Sequence, residues 1–219
     1  MKKALIFAGG WDGHEPYAVA DIFAKCLQDE GFVVDNCKGT DCLLDAEKLC
    51  EYDLIIPSMT MATIPSECTK NISTALKNGT GLAGCHGGMC DAFRNDTDWQ
   101  FITGGQWVAH PGGDGVKYTV NICHGSSPII DGIADFEVES EQYYLHIDPC
   151  VEVLATTRFP VCEGPHCTNK PVDMPVVWTK YWGKGKVFYC SLGHHADIFT
   201  KYPEAMEIMR RGMLWAAKK

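Results

Sequence analysis

Four short strand-like runs, each separated from the next by a segment of helical spacing, restrict what this chain can fold into more than any other feature. The runs are Lys3 to Ala8, Phe32 to Cys37, Tyr52 to Pro57 and Thr80 to Cys85. The third is almost continuously apolar and the fourth is likewise read as buried, the pattern of strands covered on both faces rather than half-exposed in a meander. Between the runs, Pro16 occupies a first helical position and Ala18, Ile22, Phe23, Cys26 and Leu27 share one face before Gly31. Leu43 to Cys50 reads as a short helix, and Pro65 to Leu76 as another, stopped by Asn78-Gly79. Repeated β-α units of this length predict an α/β fold, with a mostly parallel central sheet and helices on both faces.

Strands dominate the second half. Val116 to Ile122, Phe136 to Ser140, Val151 to Thr156, Val176 to Thr179 and Lys186 to Ser191 are expected to be extended, with Gly183-Lys184-Gly185 turning the last pair into a hairpin. Pro203 to Lys218 is predicted as a closing helix whose Met206, Met209, Met213 and Ala216 form a packing stripe. The Pro/Cys-rich segment Phe159 to Met174 reads as a surface excursion. With neither repeat nor linker, residues 1–219 are expected to form a single domain burying about 70% of the extended-chain surface.

A formal net charge of −9 and a pI near 5.3 exclude the basic face that nucleic acid or anionic lipid requires, leaving small molecules or proteins as partners. The first apolar run is too short for a signal-peptide core and no run approaches 18 residues, so a cytoplasmic chain is expected, with no membrane association. The 12 cysteines are read as reduced thiols, several of them acting as small hydrophobes. Cys162, His166 and Cys167 have no second ligand pair nearby and predict no structural zinc site.

Chemistry concentrates in loops that follow strands. Gly84-Cys85-His86-Gly87-Gly88 is a strand-to-helix turn whose small residues permit a sharp bend, presenting either Cys85 or His86 at the carboxyl edge of the sheet. Ligands of open α/β sheets bind off that edge. The loop Gly9-Gly10-Trp11-Asp12-Gly13-His14-Glu15 lacks both the Walker and the dinucleotide spacing and offers aromatic and polar groups instead. Gly104 to Gly113, also read as a loop, supplies Trp107 and His110, while His194 and His195 follow the last strand. Several histidines on one edge favour proton transfer near neutral pH or metal binding, with zinc, iron or nickel equally suited to imidazoles and a carboxylate. Glu141 is placed to orient an imidazole or act as a base.

With those residues in view, the chain resembles the ThuA-like family, named for trehalose utilisation. The resemblance lies in G-L-A-G-C-H-G-G at Gly81 to Gly88, W-V-A-H-P-G at Trp107 to Gly112, S-E-Q-Y-Y at Ser140 to Tyr144, G-K-G-K-V-F-Y-C-S-L-G-H at Gly183 to His194, and M-L-W-A-A at Met213 to Ala217. It implies a flavodoxin-like, class I glutamine amidotransferase-like three-layer sandwich and a role in catabolism of a disaccharide such as trehalose or its keto derivative. By motif, His86, His110, Glu141, Tyr143 and His194 carry over. Cys85 departs from the aliphatic residue expected there, and the Phe159 to Met174 segment is longer than usual.

The expectation is therefore a hydrolase- or isomerase-like enzyme with His86, His194 and Glu141 at its centre. Trp11, Asp12, His14, Trp107, His110 and Tyr143 would line the sugar pocket, with a divalent metal and a homo-oligomer both left open. Two alternatives stand beside it: a cysteine hydrolase or amidotransferase-like enzyme using Cys85 with His194 as base, and a non-catalytic sugar-binding module. Against the cysteine, the elbow pattern G-x-C-x-G is met here with His86 at its centre.

Overall fold

The computed structural model describes residues 1–123, 125 and 127–219. In chain order the elements are β1 (Lys3–Gly10), α1 (Pro16–Asp29), β2 (Val33–Lys38), α2 (Ala46–Glu51), β3 (Leu54–Thr60), α3 (Ser66–Lys77), β4 (Gly81–Cys85) and α4 (His86–Cys90). There follow α5 (Thr97–Thr103), β5 (Gly105–Ala109), β6 (Val116–Ile122), β7 (Phe136–Ser140), β8 (Tyr144–Ile147), β9 (Glu152–Phe159), β10 (Val172–Trp182), β11 (Gly185–Cys190), α6 (Ile198–Lys201) and α7 (Pro203–Ala216). Among the described residues a nine-stranded sheet runs β2-β1-β3-β4-β11-β10-β9-β6-β7, and β5 and β8 form a separate two-stranded ribbon. From β2 to β11 every pairing is parallel; from β10 onward every pairing is antiparallel.

The alternation of strand side chains creates two cores from one set of strands. In β1, Ala4, Ile6 and Ala8 face one cluster while Leu5 and Phe7 face the other, and β11 splits the same way, with Phe188 and Cys190 against Val187 and Tyr189. Val19, Phe23 and Leu27 of α1 and Ile208, Met209 and Met213 of α7 cover the first face. Leu49 of α2, Ile72 and Leu76 of α3 and Trp99 of α5 cover the second. The result is the three-layer α/β sandwich expected. Each fully buried aliphatic or phenyl side chain stabilises it by roughly 1.5–3 kcal/mol relative to exposure. The terminal packing stripe divides: Met209, Met213 and Ala216 are buried, whereas Met206 is only partly covered.

Two readings of the sequence are corrected. The segment read as a loop from Gly104 to Gly113 contains β5, which pairs antiparallel with the unanticipated β8. The helix expected to follow the Gly84 to Gly88 turn begins at His86, so part of the turn is itself helical. At the edge of the sheet β2 is exposed, and its Asp35 accepts a hydrogen bond from Tyr52. No described helix is long and apolar enough to cross a membrane.

Candidate active site: three imidazoles around one carboxylate

The carboxyl ends of β1, β4 and β11 deliver three histidines to one place. After β1 the chain turns sharply at Gly10, whose φ of +83° and whose absent Cβ, which would lie 2.0 Å from the Thr60 carbonyl oxygen, both require glycine. Trp11 then bonds through its N–H to the Thr60 carbonyl, and His14 arrives with Nδ1 3.0 Å from Thr60 Oγ1. After β4, His86 takes the elbow position with φ +45°, a left-handed conformation costing a non-glycine residue roughly 1–2 kcal/mol. Two tyrosines offset that strain: Tyr189 donates its hydroxyl to the His86 carbonyl at 3.1 Å, and the Tyr143 hydroxyl lies 2.9 Å from His86 Nδ1. After β11, His194 follows the Ser191–Gly193 turn.

Glu141 comes from the far end of the sheet, where the chain leaves β7 and crosses back toward β8. Its backbone carbonyl accepts from the Tyr118 hydroxyl at 3.0 Å, fixing the crossing. Oε2 of Glu141 then lies 3.3 Å from His86 Nε2, 3.3 Å from His194 Nδ1 and 3.2 Å from His110 Nδ1. His14 joins them by ring contact, 4.7 Å from His86 and 5.0 Å from His194 between centroids. His86, Glu141, His14 and His194 are 1%, 5%, 7% and 7% exposed; only His110, at 37%, opens toward solvent.

Burial and mutual charge set the protonation pattern. Desolvation, with His86 and His194 nearby, lowers the His14 pKa to about 3. Desolvation likewise takes His86 down to about 4, even though Glu141 opposes the shift. Burial works to raise the Glu141 carboxyl, but its contacts with His110, His194 and His86 outweigh that and hold it far below the usual carboxylate range. Burial disfavours a charged His194, yet Glu141, together with Asp114 and Glu15, raises its pKa above the ordinary imidazole value. The centre therefore holds an anionic carboxylate, two imidazoles, His14 and His86, that are neutral at neutral pH, and a His194 biased toward its charged form.

Around this centre the expected pocket residues divide. Trp11 is half exposed at the rim, its ring edge-on to His14, and Asp12 is exposed with its carboxylate outside the cluster. Trp107 stacks under the Arg94 guanidinium at 4.4 Å, and Arg94 is clamped by bidentate bonds of 2.6 and 2.9 Å to the buried Asp91. Tyr143, expected to line the pocket, is instead buried behind His86, because its hydroxyl is committed to that ring. His14, expected as a pocket residue, belongs to the buried centre.

Cys85 is corrected more firmly. It points into the core below α1 and α7, is 3% exposed, and burial pushes its thiol well above the usual range, the opposite of an activated nucleophile. The elbow belongs to His86. Glu15 and His195, noted in their loops but given no role from the sequence, form an outer tier with Asp114, which was not singled out: His195 lies 3.2 Å from Asp114 and 3.5 Å from Glu15, and His194 Nε2 is 3.9 Å from Asp114. Glu15 and His195 each adjoin a histidine already singled out, which was the available signal.

A mostly parallel sheet between helical layers defines a flavodoxin-like, glutamine amidotransferase-like fold, here with a histidine at the elbow and more histidines on the same edge. A family model described as ThuA, trehalose utilisation, matches residues 3–216, and the chain belongs to that family. Among solved structures it is similar to a ThuA-like protein from Bacteroides uniformis ATCC 8492, with 22% identity and a TM-score of 0.76 over 98% of this chain and 91% of that one. It is also similar to a ThuA-like protein from Parabacteroides merdae ATCC 43184, with 17% identity and a TM-score of 0.77 over 98% and 89%. A cytoplasmic protein from Salmonella typhimurium LT2 shares the fold at 15% identity and a TM-score of 0.69 over 99% and 100%. No curated protein matches the sequence. Membership of a trehalose-utilisation family suggests a carbohydrate-related role.

Proposed function

We propose that this protein is a cytoplasmic enzyme that processes a disaccharide such as trehalose, or its keto derivative, by histidine-assisted acid/base or metal-assisted chemistry at the His86–Glu141–His194 centre. One observation carries the reading: three imidazoles from three separate loops converge within 3.2–3.3 Å of a single carboxylate oxygen, at the sheet edge where α/β proteins bind ligands. In the ion-free centre His194, its pKa raised by Glu141, is the better proton donor toward a glycosidic or carbonyl oxygen and His86, its pKa lowered by burial, the better acceptor; with an ion bound, the same residues would hold it. His110 and Trp11, the more exposed neighbours, supply the side from which a sugar would approach, with the Trp11 ring offering a face for its C–H surface.

The test is a mass-spectrometric turnover screen of trehalose, related disaccharides and their 3-keto derivatives with wild type, His86→Gln, His194→Gln and Cys85→Ser. Product from wild type and Cys85→Ser, with at least a hundredfold loss in both histidine variants, is the expected result. Full activity in His86→Gln would overturn the assignment of the centre, and no turnover of any sugar would overturn the enzyme.

A further inference from the structure

Four buried polar atoms at the centre do not satisfy one another. His86 Nε2, His194 Nδ1, His110 Nδ1 and Glu141 Oε2 are all buried, lie close together, and yet make no hydrogen bond of acceptable geometry. Burying that many unpaired polar atoms costs about 1–3 kcal/mol each unless something else meets them.

We infer that His14, His86, Glu141 and His194 form a binding site for a single divalent transition-metal ion of the zinc class. Each of the four offers one ligand atom, and all of these atoms lie within 4.8 Å of one another. An ion with ligands at about 2.0–2.1 Å in tetrahedral array sets its donor atoms about 3.3–3.4 Å apart. The separations of Glu141 Oε2 from His86 Nε2 and His194 Nδ1, both 3.3 Å, match that edge length.

The far side of each imidazole supplies an independent observation. Histidines that ligate metals almost always engage their second ring nitrogen with a polar partner, which fixes the tautomer and aims the ring. His14 Nδ1 is engaged by Thr60 Oγ1 at 3.0 Å, and His86 Nδ1 by the Tyr143 hydroxyl at 2.9 Å. His194 turns Nε2 toward Asp114 Oδ2 at 3.9 Å. Each ring thus has an outer nitrogen facing a polar oxygen and an inner one left to offer. Three imidazoles and one carboxylate favour zinc, iron, cobalt or nickel over magnesium or calcium, which prefer all-oxygen sites. His110, on the open flank, is left free to act beside the ion.

The experiment uses the full chain without a histidine tag. Protein stripped with a chelator is titrated with Zn²⁺ by calorimetry and with Co²⁺ by visible absorption, with metal content after desalting read by mass spectrometry. One equivalent should be retained, with Co²⁺ showing ligand-field bands and no thiolate charge-transfer band. Glu141→Gln and His86→Gln should lower affinity at least tenfold, and Tyr143→Phe, which leaves every ligand in place, should lower it by about 10–100-fold. No retained ion, equal affinity in wild type and Glu141→Gln, or a thiolate band reporting capture by some of the 12 free cysteines, would each overturn the site. The sugar reading fails separately: an ion that binds as described to a protein with no turnover leaves this site standing.

Discussion

Gly87 shows how much a single atom can decide here. A Cβ at that position would lie 2.5 Å from both Cε1 and Nδ1 of His14, although the helical backbone of α4 would otherwise accept alanine. Gly87→Ala should therefore cost about 1–3 kcal/mol from overpacking and push the His14 ring away from Thr60, weakening ion binding at least tenfold. Thermal melting and ion titration of the same variant check both parts. Cys85 provides the contrary case. Because its thiol is buried and held protonated, native-state alkylation mapped by mass spectrometry should label the exposed Cys150 and Cys167 first and leave Cys85 among the slowest. Rapid, selective labelling of Cys85 would contradict that account. The sequence made His86 readable as an elbow residue, since small neighbours and a preceding buried strand are local signals. It left Cys85 and His86 as alternatives, because which of two adjacent residues takes the positive φ is decided by Tyr143 and Tyr189, from distant parts of the chain.

Among the elements, β1, β3, β4 and β11 were legible because burial on both faces leaves a run of apolar residues. The ribbon β5–β8 was not: five- and four-residue strands with mixed burial carry little periodicity. Its position depends on Lys180 of β10, which bonds to the Phe101 carbonyl and Asp148 and lies beside the Phe101 and Trp182 rings, tying the main sheet to α5 and to the turn after β8. The hydrogen bond from Lys180 depresses the Asp148 pKa, and both side chains are nearly buried. Lys180→Ala leaves that carboxylate without its cation and should destabilise the fold by about 3 kcal/mol, read as a lower midpoint in urea. Because Tyr143 leads directly into β8, the same variant should also lower activity at the centre.

For the molecule as a whole, the neutral buried histidines predict acid sensitivity of the ion-free protein. His14 and His86 have folded-state pKa values of about 3 and about 4 against 6.5 unfolded, so below pH 6.5 the unfolded chain binds more protons than the folded one. Stability is therefore lost as pH falls from 6.5 toward 4, by up to about 1.4 kcal/mol per pH unit for each group. The raised pKa of His194 acts oppositely, its contribution being present below 6.5 and lost as pH rises through the folded value. Melting temperature measured from pH 7.5 to 5 should fall on the acid side, and His86→Gln should flatten the fall; a saturating ion should raise stability across the range in proportion to the logarithm of its concentration.

The wide spacing of His14, His86, Glu141 and His194 along the chain has a kinetic consequence. No local hairpin or helix can bring any two of them together, so each approach must await closure of a long loop around an already formed sheet. The centre is thus among the last parts of the molecule to assemble on refolding, and the first to report a chain that has collapsed without reaching its native topology.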